Sequence, residues 1–551
     1  MQSRAQTTAS NPAKVARAAT GLRARLLRDR LETMGFIVPK KHKGFSDAAM
    51  DEIHAALTQL GGTSQAGGSV WAHVEASCIF GEANSFGAVR ALLRHGVLDA
   101  SMRGAEGETL LHIICRDGLA PQQRTLAHDA QPGLSLDDRL QCLIDAGIDM
   151  NAADGTNTTA WQLAIENKTP TALKSLIKAQ PDINITNAKG QTGLIIAAKV
   201  GNVQALKLLI DAGASVDVAE HCGETAVMYA AAEGHVGALE VLVKAEANLD
   251  AINFQGGSAI SMAIASENLE ALRVLLKAGA DIERAGRVAV LPLAAAATND
   301  RVNLLDCLIR AGANLNAVNY RGNSAVKTAA ENDQADALRL LIDAGAVFES
   351  QDLWGNTPLI TAMHDTQYAA AEVLIAAGAT LNHCNREGLT ATMVAAGRGN
   401  LPGLKTLIAA GANVNLATPG GWDALSYAVT EGNGETVQAL LDAGANRDAI
   451  YDQGFGAVAL ATRRNDPAIM QKLITAGANV NTSNTGGVTP LMSAAVHGRI
   501  DAMQVLLQAG AALNMRNLAG ENAIAAAQRC EQAEAVALLQ QAHAAAALID
   551  A

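Results

Sequence analysis

Two His-Cys dipeptides, His221-Cys222 and His383-Cys384, carry the imidazole and thiolate that a zinc ion takes most readily. Neither has a matching pair at metal-ligand spacing. None of the 7 cysteines forms a C-x-x-C pair, and the number is odd. A structural zinc site or a disulfide framework is not expected, and a reducing compartment fits better. Met363-His364-Asp365 sets an imidazole beside a carboxylate, as a nucleophilic triad requires, but no nucleophile accompanies it. The run GFGAVA (454–459) imitates a dinucleotide-binding turn, yet follows no strand of a βαβ unit. The run GGTSQAGG (61–68) lacks the lysine of a phosphate loop and reads as a linker. The expectation is therefore a protein that is not an enzyme, with no metal and no cofactor.

The elements that carry these residues repeat. WGNTPLITA (354–362) and GVTPLMSAA (487–495) say nearly the same thing, and Gly355 and Gly487 are four periods of 33 apart. Taking the Gly of each AGA-like tripeptide as a marker gives Gly147, Gln180, Gly213, Glu246, Gly279, Gly312, Gly345, Gly378, Gly411, Gly444, Gly477, Gly510 and His543, with no slip. A helical pattern ends at each marker, where a left-handed residue closes the helix. A short polar stretch follows, then a second Gly ten residues on (Gly190, Gly223, Gly256, Gly322, Gly355), then Thr or Ser two residues later. That Thr or Ser is an N-cap before a second apolar helical pattern. Pro358 and Pro490 stand at the first helical position, where a missing N–H costs nothing. Each unit reads hairpin, helix, turn, helix. The residues at Gln180 and Glu246 should occupy the left-handed conformation at a cost, which would make soft joints.

This pattern resembles the ankyrin repeat family. GETAVMYAAAEGHVGALEVLVKAEANLD (223–250) follows the family's G-x-T-P-L-H-x-A-A-x-x-G-H and G-A-x-[VL]-N pattern closely, while the motif's His survives only at His112. The resemblance implies an all-α solenoid, a curved superhelix of about fourteen units and roughly 130–140 Å in length. Its cohesion is expected to come from packing, because the Thr–His network is mostly missing. The expected organisation is a basic leader over 1–60 and a repeat domain over 61–551, with capping units near 67–100 and 520–551 and an inserted loop at 119–135.

Composition agrees with thin helical layers: 49% hydrophobic residues but 3% aromatic. There is no apolar run long enough to cross a membrane and no secretory signal. The net charge of −12 hides an asymmetry: residues 1–45 carry ten Lys/Arg and two Asp/Glu, leaving 32 basic and 52 acidic residues in the remainder. The arm KVARAATGLRARLLRDRL (14–31) is amphipathic at helical spacing. It reads as a docked leader helix, a mitochondrial targeting segment, an export signal or a binder of acidic surfaces.

In the resembled family, partners bind to the fingers and to the inner faces of the first helices. Phe254, Tyr320, Trp354, Trp422, Phe455 and His364 fall at those offsets, and Tyr451 falls one residue earlier. Either these rings anchor a partner, or each packs on its neighbouring finger. Charged companions are Arg287, Arg321, Asp352, Arg386 and Asp452, and their mixed signs argue against a nucleic-acid groove. The expected function is a non-catalytic, cytoplasmic, monomeric scaffold that binds a protein through its concave face. The alternative is a bacterial effector delivered to a host cell, with 1–60 as its address.

Overall fold

A computed structural model describes residues 47–61, 83–95, 98, 102–104, 107–117, 135–284, 291–299, 301–451 and 454–549. The basic arm, GGTSQAGG apart from Gly61, all but the last residue of the inserted loop, Arg287 and Asp452 lie outside the described residues. The chain divides into two compact units, Met1–Asp281 and Ile282–Ala551.

Both units are built from helix pairs. In the first unit, Gly193–Lys199 pairs with Val203–Asp211, and Ala226–Ala232 with Val236–Lys244. In the second, Ala325–Glu331 pairs with Ala335–Asp343, Pro358–His364 with Tyr368–Ala376, and Ala391–Arg398 with Leu401–Ala409. The first helix of each pair starts where its cap dictates. The hydroxyls of Thr192, Thr357, Thr390 and Thr489 accept the N–H three residues on, satisfying a donor that the helix itself leaves free. The second helix supplies leucines three apart, such as Leu206 and Leu209 or Leu404 and Leu407, all fully buried between layers. Ala533–Ile549 runs on through His543 without a turn.

The expected hairpins are tighter than strands. Among the described residues the fingers hold only isolated bridges, such as Thr186 with Thr192 and Ala417 with Asp423. An Asn or Asp seven residues after the marker organises most fingers, with Glu220, Thr418 and Tyr451 standing there in three others. Asn187 Oδ1 accepts the N–H groups of Lys189 and Gln191, and Asn385 Oδ1 those of Glu387 and Leu389, at 2.9–3.0 Å.

Cohesion does not rest on packing alone, contrary to expectation. From Gly147 to Gly477, the Asn, Asp or Glu four residues after the marker accepts the N–H of a residue 31 positions on, in the next repeat. In the first unit Asn151, Asn184 and Asp217 do this for Asp182, Ser215 and Asn248, at 2.8–3.0 Å. In the second Asn316, Asn382 and Asn415 do it for Val347, Asn413 and Asn446, at 2.7–2.9 Å. Each such rung contributes about 0.5–1.5 kcal/mol. The Thr–His network does survive once. His112 Nδ1 accepts from Thr109 at 2.8 Å, and Nε2 donates to the Thr158 carbonyl at 2.9 Å. Burial, the larger influence, and the Arg103 charge hold the His112 pKa below its usual value, although the Thr158 carbonyl opposes them.

Gln180 and Glu246 are left-handed, with φ of 55° and 56°. Gln180→Gly should therefore raise stability by about 1 kcal/mol. Urea denaturation followed by circular dichroism reads this as a higher midpoint at unchanged slope; an unchanged midpoint means the turn carries no strain.

Candidate functional site

In the second unit the fingers and first helices of successive repeats form two walls of a groove of about 730 Å³. Arg321, Trp354 and Glu387 line it from the fingers. Glu331, His364, Arg398, Tyr427 and Glu431 line it from the first helices. The geometry follows from the repeat. Residues at matching or adjacent offsets of successive first helices, such as Glu331, His364, Arg398 and Glu431, line one side of the groove.

The floor departs from the pattern. Lys327 stands fifteen residues after its marker, where five other repeats carry Ile195, Met228, Ile360, Met393 and Met492 and three carry the uncharged polar Gln162, Ser261 and Ser426. Its ammonium is buried and pairs with the equally buried Asp352 carboxylate through Oδ2. The other oxygen of Asp352 accepts the N–H groups of Trp354 and Asn356, both at 2.8 Å. Burial alone would raise the Asp352 pKa, but the hydrogen bonds from Lys327 and the Asn356 backbone hold it below the usual carboxylate range. Asp352 thus fixes the finger that displays Trp354, and Lys327 neutralises Asp352.

Higher on the helical wall His364, Asp365 and Arg398 form a chain. Arg398 donates to His364 Nε2, which leaves Nδ1 as the proton-bearing nitrogen facing Asp365 Oδ1 at 2.8 Å. This arrangement holds Arg398 against the wall. It presents no nucleophile, and the imidazole is exposed.

The groove brings together Trp354 and His364 of the residues expected at the site. Trp354 is 55% exposed. Tyr320, 60% exposed, sits on the neighbouring finger with the Arg321 guanidinium 5.3 Å from its ring centre. Phe254 is exposed too, but it belongs to the first unit.

Three rings pack instead. Tyr451 is 3% exposed, so the expectation that it meets a partner is corrected. Its ring stacks on half-buried Trp422 at 5.8 Å, and Trp422 also meets Tyr427 at 5.6 Å. The physical reason is position: Tyr451 occupies the finger site where Asn normally turns inward to hold the loop. Phe455 is half-buried under the Arg463 guanidinium. Asp352, expected as a surface companion, is buried at this same inward position.

Glu331, Arg398, Tyr427 and Glu431 were not singled out by the sequence reading. Their offsets give no clear signal, because other repeats carry small residues there, as at Ala232, Ala265, Val394 and Ser266, but also Glu166, Lys199, Glu233 and Tyr229. Among the described residues no group of three His, Cys, Asp or Glu side chains could hold a metal ion. Among them too, no helix is long and apolar enough to cross a membrane.

A family model for ankyrin repeats, three copies to the model, matches residues 135–220, 194–285, 293–385, 367–450 and 458–548. The chain belongs to the ankyrin repeat family. Among solved structures, the ankyrin repeat domain of Bcl-3, titled a unique member of the IkappaB protein family, is similar at 26% identity. That match covers 40% of this chain and 99% of that one, with a TM-score of 0.37. No curated protein matches. Ankyrin repeats are in general modules of protein–protein interaction.

Proposed function

We propose that this ankyrin repeat protein is a non-catalytic binder of another protein, and that the groove of its second unit is the contact surface. The observation that carries this reading is the exposed indole of Trp354, set at the groove's edge on a finger that Asp352 holds rigid. A large exposed ring on a preformed support makes an efficient anchor, because little ordering entropy is lost on binding. Tyr320 extends the same edge. A polar floor and mixed charge suit a protein partner better than a phosphate backbone. In this reading the surface acts by presenting a shape.

The test is a paired capture from native lysate, with wild type and Tyr320→Ala/Trp354→Ala as baits. A protein held by the first and lost by the second is the expected result. Loss of a central aromatic anchor costs about 2–4 kcal/mol of affinity, which empties a capture made near the dissociation constant. Equal recovery on both baits would move the contact surface away from this groove.

A further inference from the structure

The charges of the groove are unequally satisfied. Lys327 is neutralised by Asp352 beneath the floor. Arg398 is tied to His364, and Arg321 lies against the Tyr320 ring. The carboxylates Glu331, Glu387 and Glu431 all line the groove, and none makes an ion pair among the described residues. Asn323, on the finger beside it, gives a side-chain N–H to Glu331 at 3.2 Å. The site therefore has spare acceptors and spare negative charge, beside the aromatic faces of Trp354 and Tyr427.

From this imbalance we propose that the groove receives an extended cationic segment of the protein partner, whose Arg or Lys side chains meet Glu331, Glu387 and Glu431 and whose stem lies against Trp354. The inference rests on the groove being the binding surface. Length supports it. Glu331 and Glu431 close first helices three repeats apart, about 30 Å at the usual helix-layer spacing. An extended chain covers that distance in about nine residues. A guanidinium supplies five donors and stacks on rings, which matches both the carboxylates and the two aromatic faces. Burial, despite the opposing charge of Lys327, holds the Glu331 carboxyl above its usual range. A carboxylate so desolvated gains more from an incoming cation than one in open water.

The experiment is fluorescence anisotropy on the full chain with a labelled peptide of about ten residues, alternating Arg and Ala, against its Glu-Ala counterpart, at roughly 0.1 M salt. The Arg peptide should bind and the Glu peptide should not. Glu331→Gln/Glu387→Gln/Glu431→Gln should weaken the Arg peptide roughly tenfold. Asp343→Asn/Glu372→Gln/Glu435→Gln removes the same charge from exposed second-helix positions and should leave affinity unchanged. Equal weakening by both triple variants would reduce the effect to general attraction by an acidic chain and overturn the proposal, as would no binding of the Arg peptide or tighter binding of the Glu peptide. Trp354→Ala separates the two readings. If it abolishes binding while the groove triple does not, the groove stands and its charge preference falls; if neither matters, both fall.

Discussion

Lys327→Met alone should lower stability by about 3–5 kcal/mol, whereas Lys327→Met combined with Asp352→Asn should restore it or exceed wild type by about 1–4 kcal/mol. The asymmetry comes from desolvation. Both side chains are almost wholly buried, so removing the ammonium strands a carboxylate away from water. The double variant installs what other repeats already use: Met228 with Asn253, and Met492 with Asn517, each 25 residues on as Asp352 is from Lys327. Asn keeps the oxygen that the finger needs, because Asn484 accepts from Gly486 and Val488 as Asp352 does from Trp354 and Asn356. Urea denaturation of the single and double variants reads the cycle. A single variant as stable as wild type would show that the pair is not buried in solution. Acid gives a second reading. The Asp352 pKa is lowered on folding, so its contribution is present above the unfolded value of about 4 and is lost as pH falls through the lowered one. The double variant should lack that part of the acid sensitivity. The cost of Lys327→Met also reaches the groove, since the finger that carries Trp354 hangs on the stranded carboxylate.

The repeat phase was legible because each unit must solve the same local problems: a left-handed helix end, a capped helix start and a leucine seam. The chain solves them with the same few residue types. Gln180 and Glu246 could be assigned left-handed from phase alone. The tight fingers were harder. Their turns are held by side-chain-to-backbone bonds from one Asn or Asp, and a propensity reading cannot tell those from a hairpin. The same bond explains why Tyr451 was misjudged. Its offset differs by one from that of exposed Tyr320, and one residue turns a side chain from the surface into the layer below. Trp354 and His364 could be placed at the groove because their offsets face it. Glu331 shares the offset of His364, and Glu431 lies one residue further along its helix; their charge carries no aromatic signal. The Lys327–Asp352 pair shows in the sequence only as one charged residue in a column that is otherwise uncharged, and its partner lies 25 residues away on another layer.

Gly193→Ala should destabilise the first unit by about 1–3 kcal/mol, against the usual advantage of Ala in a helix. Gly193 begins its helix where the other repeats place Ala226, Ala259 or Ala325. The reason is one layer down. Trp161 occupies a position that elsewhere holds Leu194, Val227 or Ile260, and its indole is fully buried. A Cβ on Gly193 would lie 2.8 Å from Trp161 Cη2, closer still to Cζ3, and 3.0 Å from Ile165 Cδ1. The ring cannot swing aside into solvent, because none of its surface is exposed. Trp161→Ala should cost about 3–5 kcal/mol through the cavity it leaves. Trp161→Leu with Gly193→Ala restores the pairing of the other repeats and should recover most of the stability that either change loses alone. Part of that recovery comes from removing the indole N–H, which is buried without a hydrogen-bond partner. The coupling between the two sites should be about 0.5–3 kcal/mol in favour of the double variant, read from chemical denaturation of all four proteins. Additive losses would mean that the indole and Gly193 do not share one space. A coupled result would show that each layer interface in this chain is fitted as a pair, so that a ring is admitted only where the next repeat gives up a side chain.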